Sequence, residues 1–308
     1  MKPAHHRPRG FANSNPDIVI GDFPWYDMVW RGLRGDFRPR REPVGGYKGF
    51  ARNWSVPVDH ARLAQRPVQP TVTWLGHVTV LLQVAGLNIL TDPTLAGFAG
   101  PYGRFGAPRL VPSPLAPREL PPIDAVLISH NHYDHLCDAT VAGLVAAGQK
   151  PRFLVPLGLK AWFEARDIAL VDELDWWGRV DLPVRAGGGH LRIHFTPSQH
   201  WSRRTPFDTN ASLWGGVHGG MDATGRTGLA FSVHRRHRLF GRFPPHPRAT
   251  GAGGLPGGAD RRLPAARLHA QHAREPGRRG ADSARPGGAP GHGRALGHVQ
   301  ADAGSLRP

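Results

Sequence analysis

The sequence predicts an α/β fold whose chemistry sits on one rim of its sheets, followed by a basic segment of a different character. Three observations carry this. Short β-branched runs alternate with helical spacings from Thr71 to about residue 216. Residues able to bind metal gather directly after apolar runs, where strands end. Composition then breaks: residues 1–216 hold all nine Trp, all four Tyr, every Lys and every Ile, with 24 basic against 18 acidic side chains. Residues 217–308 carry 15 Arg against 5 acidic residues, so about +10 of the formal +16 charge lies there.

Taken in order, residues 1–70 are rich in Pro, Arg and Trp with weak periodicity. They read as an extended arm laying Trp25, Tyr26, Trp30 and Trp54 on a body. "TVTWLGHVTVLLQVAGLNILTDP" gives two or three strands parted by turns at Gly76–His77 and Ala85–Gly86. "GFAGPYGRFGAPRLVPSPLAPRELPP" is a Gly/Pro loop long enough to shape a substrate mouth. "IDAVLIS" is a buried strand, "DATVAGLVAAG" a helix, "RFLVP" a strand and "LGLKAWFEARD" a helix. "LRIHFTPSQHW" is a strand that delivers His200 to its end. At 308 residues the chain can bury a sizeable core as one large domain or two small ones. The organisation expected is an arm at 1–70, the fold at 71–216 and a basic tail at 217–308.

One cysteine, Cys137, excludes an intramolecular disulfide framework and fits a reducing compartment; it reads as a small side chain beside the motif rather than a reactive thiol. The basic N-terminus has no apolar stretch after it and does not read as a secretory signal. The longest apolar stretch, "VTVLLQVAGLNIL", is broken by Gln83, Gly86 and Asn88 and is too short to span a bilayer, so a soluble, cytoplasmic protein is expected.

"SHNHYDHL" places His130, His132, Asp134 and His135 in a loop leaving the "IDAVLI" strand. Alternate residues there can turn to one side, so His130 and His132 can reach one ion while Asp134 and His135 face a second. Imidazoles with a carboxylate suit Zn²⁺ first, with Mn²⁺ or Fe able to use the same ligands.

These residues, with "TWLGHVTVLL", "LNILTDP", "FLVPLGL", "ELDWW", "TPSQHWSRR" and "NASLWGG", resemble the metallo-β-lactamase fold hydrolases. Within that fold they resemble bacterial relatives of N-acyl-phosphatidylethanolamine phospholipase D over about residues 50–216. The resemblance implies an αβ/βα sandwich. It implies that His130, His132 and His200 bind one zinc, and that Asp134 and His135 begin a second site and belong to the catalytic centre. Asp92 would orient a ligating imidazole through its other N–H, the alternative being a turn-capping Asp before Pro93. His77 would lie close to the site or be a buried, hydrogen-bonded histidine. Two ions would together activate a water and clamp the oxygens of a phosphodiester in a lipid head group. A lipid or small-ester substrate, peripheral membrane contact and a homodimer follow from the same resemblance.

A complete site of this kind needs a bridging carboxylate and a last histidine, which the family carries in segments like "GDTGY" and "HWGT". Neither string occurs here. Residues 217–308 lack Lys, Ile, Tyr, Trp and Asn, and an Arg/Gly/Ala/Pro mixture cannot easily bury a core, so a disordered or poorly folded tail and an incomplete sandwich are expected. The genetic code suggests a cause. Val233 to Phe240 can be written GTT CAC CGG CGA CAC CGG CTA TTC, and without its first base this reads "FTGDTGY", the Asp codon straddling Arg236 and His237. Treated alike, "HAQHAREPGRRGAD" can yield "MRNMHVNPDDAVQ". "GRALGHVQAD" can yield "GVHWGTFKL", its His codon straddling Ala295 and Leu296. One constant offset recovers three family segments in order, which places a one-base shift between about Gly216 and Val233. The expectation is an impaired hydrolase holding nearer one metal than two.

Other readings stay open: hydrolysis of another ester, a lactone or a nucleic-acid phosphodiester on the same fold, or a basic protein that binds nucleic acid or anionic membranes. Nucleic acid is disfavoured because the tail interleaves only Phe231, Phe240 and Phe243 with its arginines.

Overall fold

The computed structural model describes residues 2–17, 24–36, 44–67, 69–185, 188–222, 230–233 and 266–268. Three short helices come first: α1 (Trp25–Leu33), α2 (Gly46–Trp54) and α3 (His60–Ala64), the last capped by the Asp59 side chain accepting from Arg62 N. They correct the expectation of an extended arm. The Pro/Arg-rich composition hid an i, i+3, i+4, i+7 spacing of Tyr26, Val29, Trp30 and Leu33 on α1. Nor do Tyr26, Trp30 and Trp54 act as anchors, since each is more than half exposed. Leu63 of α3 enters the core.

The body is two sheets. The first has strand order β1-β2-β3-β6-β7-β8: β1 (Thr71–Gly76), β2 (Thr79–Val84), β3 (Leu87–Thr91), β6 (Ala125–Leu127), β7 (Arg152–Pro156) and β8 (Val171–Leu174). β1, β2 and β3 form an antiparallel meander, and β3, β6, β7 and β8 run parallel. The helices α4 (Asp138–Ala146) and α5 (Lys160–Glu164) make the crossovers that parallel pairing requires. The Gly/Pro loop carries a small ribbon, β4 (Phe98–Ala99) with β5 (Ala107–Pro108).

Alternation along the strands divides the core in two. Val126 and Ile128 of the β6 segment, with Leu90, Phe153 and Val155, pack with Val141 and Leu144 of α4 and Phe163 of α5. Ala125, Leu127, Ile89 and Leu154 point the other way and meet the second sheet.

The second sheet has order β13-β12-β11-β10-β9: β9 (Arg179–Pro183), β10 (His190–Thr196), β11 (Gly216–Asp222), β12 (Ala230–Val233) and β13 (Ala266–Leu268). Leu191, Ile193 and Phe195 of β10 face inward with Leu182, Trp214 and Val217, while Arg192 and His194 on the opposite face are half-buried. An α/β sandwich of this kind is what the sequence predicts. β11, β12 and β13 draw on the segment whose composition predicts poor folding, and the remainder of 217–308, including Arg236, His237, Ala295 and Leu296, lies outside the described residues. Among the described residues no helix is long and apolar enough to cross a membrane.

Candidate metal centre

The centre is assembled where β3 and β6 end side by side. Asp92 follows β3 with a left-handed backbone, φ 37°, and its N–H donates to Leu127 O (2.9 Å), which locks the two strand ends together. The loop after β6 turns tightly, with His135 N and Leu136 N both donating to His132 O at 2.9 and 2.7 Å. His200 arrives from the second sheet, four residues past the end of β10.

These elements bring three ring nitrogens into a triangle. His130 Nε2 lies 2.9 Å from His132 Nδ1 and 3.0 Å from His200 Nε2, and the last two are 3.3 Å apart. Hydrogen bonds cannot run along all three edges of such a triangle: three atoms share two roles, donor or acceptor, so at least one edge sets like against like. A cation facing three lone pairs resolves the conflict. Three imidazole nitrogens this close together are a donor set that would suit zinc. The residues present therefore fit a divalent ion.

The surrounding bonds favour that protonation state. Asp92 is buried; its Oδ2 accepts from His135 Nδ1 (2.8 Å) and Ser129 Oγ (2.7 Å), and its Oδ1 accepts from Ser129 N (2.7 Å). Ser129 Oγ also lies 2.9 Å from His130 Nδ1. With Asp92 ionised, Ser129 donates to it and accepts from His130 Nδ1–H, which leaves His130 Nε2 as a lone pair. By the same logic His135 keeps its proton on Nδ1. Its Nε2 is buried without a hydrogen-bond partner, an arrangement that calls for an electrophile.

His77, Asp134 and His135 form a second group whose ligand atoms lie within 4.8 Å of one another. His77 sits in the β1–β2 turn with φ 51°, and its Nε2 is 3.1 Å from Asp134 Oδ2. His77 is therefore placed close to the site, and it is not fully buried.

Several residues that sequence reasoning passed over hold this geometry. Arg204 donates to Asn131 O (2.9 Å) and Leu136 O (2.6 Å), bonds Asp138, and lies over the Tyr133 ring at 4.1 Å. Burial pulls its guanidinium pKa down and Asp138 opposes that pull. Tyr133 in turn donates to Arg204 O (3.1 Å), and burial pushes its phenol pKa up. Trp201 sets its ring edge-on to His132 at 4.4 Å. Arg204 and Trp201 stand in "TPSQHWSRR", so the signal was present, but nothing in the spacing says that an arginine there reaches back about seventy positions. Cys137 is buried beside the loop. The Gly/Pro loop lines a pocket with Arg109, Ser113 and Glu119, and none of the clustered histidines lines it.

Fold and site together place a group of residues that could hold a metal ion on the rim of an α/β sandwich. Residues 87–227, a little under half of the chain, match the family model described as the beta-lactamase superfamily domain. An uncharacterized protein of Mycobacterium tuberculosis is 39% identical over 147 residues, 46% of this chain and 37% of that protein. An N-acyl-phosphatidylethanolamine-hydrolyzing phospholipase D of Caenorhabditis elegans is 36% identical over 149 residues, covering 47% of this chain and 41% of the enzyme. A protein of Aeropyrum pernix named as a metal-dependent hydrolase is 32% identical over 142 residues, covering 42% of this chain and 52% of its own length. The match thus spans about half or less of each relative.

Proposed function

We propose that this chain holds zinc through His130, His132 and His200 and derives from a hydrolase of lipid phosphodiesters, of the N-acyl-phosphatidylethanolamine class. The observation that carries the metal assignment is the imidazole triangle, whose three edges cannot all be hydrogen bonds. The substrate class is supported by similarity to an enzyme whose name states that substrate. A metal bound there supplies a Lewis acid that polarises a phosphoryl oxygen and acidifies a water. Asp92 and Ser129 keep the ring protons of His130 and His135 away from the ion, and Asp134 with His135 and His77 offers donors for a second, weaker site. A lipid substrate would bring this centre to a membrane surface, and a homodimer is the assembly we propose.

We propose further that the polypeptide as written hydrolyses poorly, because a one-base shift between about Gly216 and Val233 has put the codons for a bridging carboxylate and a last histidine out of frame. Composition supports this, as does the family match ending at residue 227, inside that interval. Two experiments test the reading. The coding DNA should read "GDTGY" and "HWGT" in the offset frame; an intact frame whose codons cannot give those strings ends the frameshift proposal. A frame-restored protein should release phosphatidate from N-acyl-phosphatidylethanolamine in a zinc-dependent way. Turnover of lactones or nucleic-acid phosphodiesters instead would reassign the substrate.

A further inference from the structure

The N-terminal segment does not simply lie on the surface. Residues 5–12 fold back on themselves: His6 bridges Phe11, Arg7 N donates to Gly10 O (3.0 Å), and Ala12 N donates to His5 O (2.8 Å). Two anchors fix this hairpin. His5 Nε2 and His6 Nε2 bond the two oxygens of Asp175 at 2.6 and 2.8 Å, and the His5 ring stacks on Trp176 at 4.2 Å. At the other end Phe11 N donates to Asn210 O (2.9 Å). Gly10, at φ +80°, passes so close that an added Cβ would lie 2.1 Å from that same oxygen.

What this docking delivers is Asn13. Its Oδ1 accepts from His200 N (2.9 Å) and from Trp214 Nε1 (3.2 Å), and next to it Ser14 Oγ accepts from Gln199 Nε2. Trp214 is almost wholly buried in the core between the sheets. Asn13 therefore ties the backbone of His200 to a fixed point in the interior. This matters because His200 has left β10, whose ladder ends at Thr196, so its position must be set by other means. A metal ligand has to be held to about half an ångström.

We propose that residues 5–14 are a positioning strap for the metal centre, in which Asn13 fixes the backbone of His200 and with it the third imidazole of the triangle. This rests on the divalent-metal reading. Asn13 touches neither metal nor substrate; it acts through His200.

The test is chelator competition and cobalt(II) d–d absorption on the full chain, with Co²⁺ and Zn²⁺ as probes, for the unaltered protein, Asn13→Leu, Asn13→Asp and Gly10→Val. Asn13→Leu removes the acceptor, and affinity should fall about 10–100-fold, the range seen when a group supporting a ligand is lost. Asn13→Asp keeps an acceptor at the same place and should retain the unaltered affinity and spectrum. Gly10→Val substitutes neither Asn13 nor any site residue but undocks the hairpin and so withdraws Asn13, and should resemble Asn13→Leu. Unaltered binding in Asn13→Leu and Gly10→Val overturns the strap. Equal losses in Asn13→Leu and Asn13→Asp also overturn it, because the effect then does not follow the Oδ1 acceptor. An unaltered protein that binds neither ion overturns the metal reading itself.

Discussion

Replacing Arg204 by Met keeps most of the apolar stem and removes the charged fork. In the structure that fork closes the metal loop by bonding Asn131 O and Leu136 O on either side of His132, Asp134 and His135, and by pairing with Asp138. The Arg204 side chain is 6% exposed and that of Asp138 16%, so water cannot readily take over these contacts. Removing Arg204 leaves two carbonyls unsatisfied and Asp138 with Arg166 as its remaining charged partner, and costs about 3–5 kcal/mol. For a folded body of roughly 150–250 residues each kcal/mol moves Tm by about 2–4 °C, which gives a fall of about 6–20 °C. Thermal unfolding of the metal-free protein reads this without any contribution from the ion. Arg204→Lys should recover only part of the loss, because a single ammonium cannot reach all three acceptors. A Tm for Arg204→Met within 2 °C of the unaltered protein would refute the clamp.

Asp92→Asn is nearly isosteric and tests the tautomer argument. Its amide can donate to His135 Nδ1, forcing that proton onto Nε2, so metal affinity should drop about 10–100-fold while the fold persists; chelator competition that finds no change would contradict the assignment. His194 and His218 face each other across β10 and β11, and burial lowers the pKa of both below the ordinary value of 6.5, with the His218 charge adding to the shift of His194. The unfolded chain therefore binds more protons just below pH 6.5, so stability is fully present above that pH and falls as pH drops through the lowered values. Urea denaturation across that range should show the decline, and His218→Gln should flatten it; an unchanged slope would remove the pair from the account.

Much of the fold was legible because its strands are short apolar runs bounded by Gly, Pro and polar residues. The turns at Gly76–His77 and Ala85–Gly86 fall where they were expected, and both use left-handed backbone. β8 and β9 were not legible, since "VDEL" and "RVDLP" alternate only weakly and gain their place through Arg152–Asp172 and Arg192–Asp181 pairs with neighbouring strands. Helices α1 and α2 were hidden by composition. In the site, the loop histidines announce themselves by their density, and Asp92 only through the resemblance of "LTDP" to the family's segment. Arg204 and Asn13 do not, because their roles depend on contacts with residues about 70 and 190 positions away, which no local pattern encodes.

The central claim is that three imidazoles grip one cation. Metal content of the full chain, measured after loading with excess zinc and removal of free ion, tests it most directly. One zinc per chain is expected, with His130→Ala and His200→Ala retaining none. A chain that retains no zinc, that retains two tightly, or that holds its metal equally well without those histidines would contradict the account.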